Sequence, residues 1–301
     1  MRVTLLHNPS AGEADHDLDD LESLVSAAGH EVVCHSLHGY DWPAALEDPG
    51  ELVVVAGGDG SVGSVFREVA GKNVAVTVLP LGSANNLART LGIADAPIEE
   101  LVRGWEQGRH VRFELGQANA PWGETFFVES VGGGIFGRML ERGEEKDADE
   151  EDGDANLRTG LELMRSAAAD GPALPWRVEV AGADLSGDYL AVEVTNIREI
   201  GPHFPLVPEA PIGDGMLDVV LIGAEDREEL VGYFGDRLAG GEPRRLGLTT
   251  RRGDRVVLRP PAECPLHVDD ELWPEDPDAR GDGSAVLTPG PSVTVVVPST
   301  A

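Results

Sequence analysis

The sequence predicts two domains: an α/β domain built on a parallel sheet, followed by a mostly antiparallel β domain. Three observations point there. In the first third, short continuously apolar runs are followed by Gly- or Ser-containing loops and then by helical periodicity. Strands covered on both faces by crossover helices have that pattern. After about residue 117 the runs shorten, alternate and are separated by Gly/Pro-rich turns, as in a sandwich or barrel. The length, 301 residues, also exceeds what one core usually organises, about 250–300 residues.

The elements follow in order. Apolar runs at 2–6, 52–56 and 74–79, with a weaker one at 31–34, predict the strands of the parallel sheet. Helical patterns at 17–28, 61–70 and 83–91 lie between or after them. Alternating segments at 125–130, 176–181, 189–195, 217–222, 255–259 and 293–297 predict the second domain's strands. Helical segments at 155–169 and, more weakly, 226–239 interrupt them. The expected division is 1–117 for the α/β domain, joined by the tail 286–301, and 118–285 for the β domain. Residues 141–154 carry nine carboxylates and two cations, and self-repulsion predicts a solvated, mobile loop there.

Composition narrows the function. With 23 basic and 54 acidic side chains the formal net charge is -31. Such a chain repels a phosphate backbone, which argues against nucleic-acid binding. It also disfavours more than transient contact with an anionic membrane. No apolar run approaches the ~20 residues of a membrane helix. Cys34 and Cys264 are far apart and form no CxxC pair, so neither a disulfide framework nor a zinc site is indicated. The expectation is a soluble, cytoplasmic protein. Its oligomeric state is left open, a homodimer included.

Three loops carry the chemical signal. Gly57, Gly58, Asp59, Gly60 and Ser61 follow the apolar run 52–56 and open a helix. A strand end, glycines and a helix N-terminus together suit phosphate, because glycine lets backbone N–H groups approach an anion. Asp59 would repel bare phosphate but suits Mg²⁺ shared with phosphate oxygens. The same loop is also readable as a tight turn with Asp59 capping the helix, although one cap does not need three glycines. The run 74–79 leads to Gly82, Ser83, Asn85 and Asn86, with Ser83 the candidate N-cap and Ala84, Leu87, Ala88 and Leu91 forming one apolar face. Asn8, Pro9, Ser10, Ala11 and Gly12 make a third polar loop after run 2–6. Together the loops argue for a nucleotide.

NPSAG, GGDGS and PLGSANNLARTLGI, in this order, resemble the diacylglycerol kinase catalytic-domain family, which includes bacterial lipid kinases and sphingosine kinases and is related in structure to NAD kinases. The likeness continues through FVESVGGG at 127–134, the segment ending in GDGMLDVVLI near 222, and Val268, Asp269, Asp270 and Glu271, which stand where the family has VDGE. The resemblance implies an ATP-binding α/β domain followed by a β-sandwich domain that takes a lipid. It also implies Mg²⁺-dependent phosphorylation of a lipid alcohol, diacylglycerol-like or other. It assigns nucleotide contacts to Asn8, Ser10, Gly57, Gly58, Asp59, Gly60, Ser61, Gly82, Ser83 and Asn86. Asp59, Glu114 and Asp214 become metal ligands, and Asp269 the general base assisted by Glu271. If 269–271 lay on one strand, Asp269 and Glu271 would share a face. Taken alone, Asp269 and Glu271 also suit a charged turn, and Asp214 an Asp-Gly turn.

Several positions differ from the family pattern. Asn86 and Glu114 stand where it has aspartate, Glu129 where it has asparagine, and Asp270 where it has glycine. Two other functions share part of the signal. GGDG also belongs to NAD kinases. Asn86, Glu129 and Asp270 also suit a nucleotide- or lipid-binding regulatory module with impaired catalysis.

Overall fold

Strand β1 (Arg2–His7) lies between β2 (Glu31–Ser36) and β3 (Leu52–Gly57), and β4 (Ala75–Pro80) pairs with the other side of β3. All these pairings are parallel. The structure is a computed structural model and describes residues 1–11, 16–39, 41–144, 153–274, 276 and 283–300. It divides into two compact units, one of Met1–Phe113 and the residues from Pro291 onward together with Gly153, the other of the remaining described residues between Glu114 and Gly290.

In the first unit every residue of β3 is buried, whereas β2 alternates in exposure. That is the difference between a central and an edge strand, and it explains why 52–56 reads as one apolar run and 31–34 as a weaker one. Residues 294 and 295 of the chain's last strand pair in parallel with β4 and complete the sheet. Thr77 Oγ1 donates to the Val296 carbonyl at 2.8 Å.

Helix α1 (Leu18–Ala27) starts at Asp17, whose carboxylate accepts the Asp20 N–H at 2.9 Å. Helix α2 (Asp59–Val69) buries Val62, Val65, Phe66 and Val69, the i, i+3, i+4, i+7 face of an amphipathic helix. Each such side chain contributes about 1.5–3 kcal/mol when fully buried. Helix α3 (Asn86–Leu91) ends at Gly92, where φ is 79°, a left-handed stop that glycine adopts without strain. A short α4 (Ile98–Arg103) follows.

The second unit opens with β5 (Arg109–Ala120), whose first residues belong to the first unit, then β6 (Gly123–Phe127) and β7 (Ser130–Gly134). Helices α5 (Ile135–Glu144) and α6 (Gly153–Asp170) come next. Strands β8 (Leu174–Val180), β9 (Ala183–Asp184), β10 (Gly187–Thr195), β11 (Glu199–Ile200), β12 (Phe204–Pro205) and β13 (Leu217–Gly223) follow. The chain continues through α7 (Arg227–Leu238), β14 (Thr249–Gly253), β15 (Val256–Arg259), β16 (Leu266–Val268), β17 (Glu271–Leu272) and β18 (Ala285–Val297).

One layer runs β17-β16-β7-β10-β13-β14, antiparallel throughout. The other joins β9, β8, β15, the first part of β18, β5 and β6. The core draws Trp176 and Val178 from β8, Val192 and Val194 from β10, Val219 from β13 and Leu287 from β18. β8 alternates buried and exposed at every step, the period-2 signature of a strand with one face in a core. This is the β-sandwich.

Some expectations are corrected. The segment 125–130 is two strands, β6 and β7, parted at Val128 and Glu129. Residues 141–144 close α5 and 153–154 open α6, so these ends of the acidic run are helical; residues 145–152 lie outside those described, as does Gly12. Helix α2 begins two residues before 61, and α3 begins at Asn86 rather than 83. Among the described residues no helix is long and apolar enough to cross a membrane.

Candidate active site

Because β3 lies between β1 and β4, the loops that leave their carboxyl ends are neighbours. In an open parallel sheet this edge is where ligands bind. The loops interlock. Asn8 Nδ2 donates to Ser61 Oγ at 2.8 Å, and Leu81 N donates to the Gly57 carbonyl at 3.1 Å. Gly58 and Gly82 touch backbone to backbone: a Cβ on Gly82 would run into Gly58 Cα, and one on Gly58 would lie 3.1 Å from Gly82 Cα. Glycine at these two places is a requirement of close approach. Ser10 is exposed, its N–H donates to Asn8 Oδ1 at 3.0 Å, and its Oγ lies 3.2 Å from His38 Nε2. Gly60 and Ser83 are exposed, and Ser61 is half-buried.

Asp59 is the first residue of α2, and Gly58 occupies the cap position. Its carboxylate reaches across to the neighbouring helix. It accepts the N–H groups of Asn86 at 3.0 Å and Leu87 at 3.2 Å, at the start of α3. That is why Ser83 is not the N-cap of α3. The cap position falls to Asn85, in left-handed conformation with φ of 52°, and Asp59 supplies the acceptor from the neighbouring loop. Asn85 Oδ1 accepts the Gly82 N–H at 2.9 Å, and its amide donates to the Gly82 carbonyl. Asn86 is buried. Thus nine of the ten predicted nucleotide residues lie on or beside one interlocked set of loops, and Asn86 lies beneath it. Mg²⁺ arriving with phosphates needs only one or two protein carboxylates, and Asp59 fits that demand.

In the second unit, β16 and β17 form a hairpin with Val268 opposite Glu271. Asp269 and Asp270 are therefore the turn, not part of a strand. This corrects the expectation that Asp269 and Glu271 share a face: they stand on a turn and on the returning strand, and Glu271 is exposed. A two-residue hairpin wants positive φ at its first central position, and Asp269 takes φ of 51°, at a cost of about 1–2 kcal/mol for a non-glycine residue. Asp270 is not among the positive-φ residues, so the change from the family's glycine leaves the turn unstrained there. The Asp269 carboxylate accepts N–H groups from Val128 at 3.1 Å, Glu129 at 2.7 Å and Ser130 at 3.2 Å. Asp269 N–H donates to the Ser130 carbonyl at 2.8 Å. The break between β6 and β7 is the cradle of this carboxylate.

Glu114 and Asp214 do approach one another's segments. Glu114 Oε2 accepts the Gly215 N–H at 2.7 Å. A guanidinium, however, stands at Asp214: Arg252 Nη2 lies 2.6 Å from Asp214 Oδ2, and its Nε 3.1 Å from Asp218 Oδ1. The hydrogen bond that Arg252 donates to Asp214, then the charge of Asp218, hold Arg252 above its ordinary pKa against burial. With Asp214 Oδ2 already taken by the guanidinium, which also holds Asp218, this arrangement does not fit a divalent ion at Asp214. Among the described residues no three His, Cys, Asp or Glu side chains gather to hold a metal.

Sequence reasoning did not single out Arg252, nor Glu193 and His267, which are buried and paired at 3.0 Å. The available signal was a charge inside the alternating run YLAVEVT and a histidine two residues before Asp269.

Comparison with known proteins adds the following. Residues 2–118 match the family model "Diacylglycerol kinase catalytic domain", and residues 160–297 match "YegS C-terminal NAD kinase beta sandwich-like domain". A "Probable lipid kinase YegS-like" of Cronobacter sakazakii is 30% identical, covering 60% of each chain. The protein of the same description from Pseudomonas aeruginosa is 32% identical over 63% of this chain and 59% of its own. The chain thus matches about three fifths of the length of these curated relatives. A "Diacylglycerol kinase" of Bacillus subtilis is 23% identical over 90% of this chain and 89% of its own. The crystal structure of a "putative diacylglycerol kinase" from Bacillus anthracis superposes with a TM-score of 0.71 at 19% identity, over 98% of this chain and 96% of that one, which establishes the shared fold.

Proposed function

The chain belongs, through its two matched domains, to the diacylglycerol kinase catalytic-domain family, and on that premise we propose that it is an ATP- and Mg²⁺-dependent lipid kinase. The observation that carries the reading is the interlocked crest of three loops, with Gly58 against Gly82 and Asp59 bridging two helix starts. That surface offers backbone donors and one carboxylate, the combination a Mg²⁺-bound triphosphate requires. Phosphoryl transfer asks for positioning and charge neutralisation more than covalent chemistry.

In this reading Gly57, Gly58, Gly60, Ser61, Gly82 and Ser83 hold the phosphates, Asn8 and Ser10 border them, and Asn86 supports the loop from beneath. Bound Mg²⁺ supplies neutralisation of the phosphate charge, with Asp59 as the protein ligand. Asp269 accepts the proton of the acceptor hydroxyl as the new O–P bond forms and the bond to the leaving ADP breaks. Glu271, on the returning strand, is an auxiliary charge rather than a partner on the same face. The acceptor is a lipid alcohol.

The test is transfer of radiolabelled phosphate from ATP to diacylglycerol, a sphingoid base and a prenol, with NAD as a separate acceptor. Transfer to a lipid, lost in Asp59→Asn and in Asp269→Asn, is the expected result. Undiminished turnover in Asp269→Asn removes that residue as the base. Phosphorylation of NAD alone makes the protein an NAD kinase, and ATP binding by calorimetry without any transfer makes it a sensing module.

A further inference from the structure

Strands β10, β7 and β16 lie side by side, and their register sets Glu193, Gly132 and His267 in one row. Neighbouring strands are about 4.8 Å apart, so the outer two residues stand roughly two spacings from each other. Their side chains meet over the glycine, with His267 Nε2 3.0 Å from Glu193 Oε2. A Cβ at residue 132 would collide with that carboxylate and with the Val192 carbonyl. The row is inaccessible: Glu193 is 0% and His267 2% exposed, and the Phe136 ring from α5 lies against His267 at 6.0 Å between centroids.

The other ring nitrogen, His267 Nδ1, is 2.9 Å from the Asp269 carbonyl oxygen. A carbonyl only accepts, so Nδ1 carries a proton. Nε2 then either donates to ionised Glu193 or accepts from protonated Glu193, and both arrangements are neutral as a pair. The ionisable groups facing the ring are Glu193 from β10 and Asp269 from its own hairpin, while β7 and α5 present Gly132 and Phe136.

We propose that Glu193 and His267 form a positioning dyad that fixes the turn at Asp269 and thereby holds its carboxylate in the Val128–Ser130 cradle; its bearing on catalysis rests on the reading of Asp269 given above. The chain of contact is continuous, from Glu193 to His267 to the Asp269 carbonyl, with the Asp269 carboxylate on the backbone of 128–130. Neither side chain touches a ligand in this scheme. The charge state supports it. Burial alone pushes His267 down, but the Glu193 charge and hydrogen bond, with the bond to Asp269, hold it above its ordinary value. Burial also raises Glu193, and His267 offsets part of that. The pair therefore keeps its proton.

The experiment uses Glu193→Gln and His267→Gln in the full chain, with Asp269→Asn as the reference. Amide exchange at Val128, Glu129 and Ser130 reports whether the carboxylate is in its cradle. Both variants should speed that exchange relative to amides of β3, and lower kcat about 10- to 100-fold with the KM for ATP unchanged. In the native protein, imidazole nitrogen NMR should show His267 retaining its proton to higher pH than an ordinary histidine. Unchanged exchange at 128–130 in both variants overturns the dyad. If the variants do not fold, the native imidazole titration decides: a ring that titrates as an ordinary histidine overturns it. If Asp269→Asn keeps full turnover, the base assignment falls, and the exchange at 128–130 still decides the dyad.

Discussion

Asp59 and Asp269 do the same thing in two different ways. Each carboxylate accepts backbone N–H groups from a distant segment, 27 and 28 residues away for Asp59 and 139 to 141 for Asp269. Around Asp59 the support is backbone meeting backbone, glycine on glycine, on half-exposed loops. Around Asp269 the support is a buried pair of ionisable side chains reaching over a missing one. The first unit holds its site by shape and the second by charge. Steric changes should therefore disturb the first, and changes of charge or pH the second.

The largest effects test the two carboxylates themselves. Asp269→Asn should lower kcat for phosphate transfer about 10²–10⁴-fold with ATP binding preserved in calorimetry. Asp59→Asn should instead weaken ATP binding, and equal effects of both variants on ATP affinity would erase the distinction. Next come the glycines. Gly132→Ala drives a methyl into a buried carboxylate and a backbone carbonyl, and should destabilise by about 3 kcal/mol in urea unfolding. Gly82→Ala meets the Gly58 backbone and Asn85 Oδ1 of half-exposed loops, and should cost about 1 kcal/mol while loosening ATP binding.

A smaller effect is the sign of pH dependence. Burial, reinforced by His38 and opposed by Asp17, holds His7 of the first unit below its ordinary value. Its contribution is complete above pH ~6.5 and is lost as pH falls through the depressed value. His267 is held above its ordinary value, so its contribution is complete below pH ~6.5 and is lost as pH rises through the elevated one. Amide exchange, corrected for the intrinsic rate, should show β1 losing protection as pH falls below ~6.5 and β16 losing it as pH rises above ~6.5, and Glu193→Gln should flatten the second trend. Least of all, Arg252→Met leaves Asp218, whose pKa burial already raises, facing Asp214 without a cation. The loss should be about 1 kcal/mol. Melting of the native protein should ignore chelators, whereas melting of this variant should rise with added Mg²⁺.

The two units were also unequally legible. In the first, each motif is contiguous: strand, loop and helix follow within a dozen residues, so GGDGS and PLGSANN announce the crest directly. What stayed hidden was which residue caps which helix, because Asp59 serves α3, and a cap borrowed across loops leaves no local pattern. In the second unit FVESVGGG, YLAVEVT and PLHVDDE are separate in sequence and adjacent only through strand register. The role of Gly132 emerges only from the register that places β7 between β10 and β16. For Asp269 and Glu271 the i, i+2 spacing suited a strand and their charge suited a turn; the register of β16 and β17 decides for the turn, and nothing local specifies its positive φ at Asp269. Arg252 could not be read from the sequence at all, since its partners Asp214 and Asp218 lie on the neighbouring strand and the loop before it.

The last strand also sets an order of events. Thr77 is bonded to Val296, 219 residues later, and β4 receives its second neighbour only from residues 294 and 295. During synthesis at about 5–20 residues per second, the first unit is made before the second but lacks that edge of its sheet for roughly ten to forty seconds, until the entire sandwich has been made. The unit made earlier is thus the one completed later, and its assembly certifies that the intervening domain has already emerged.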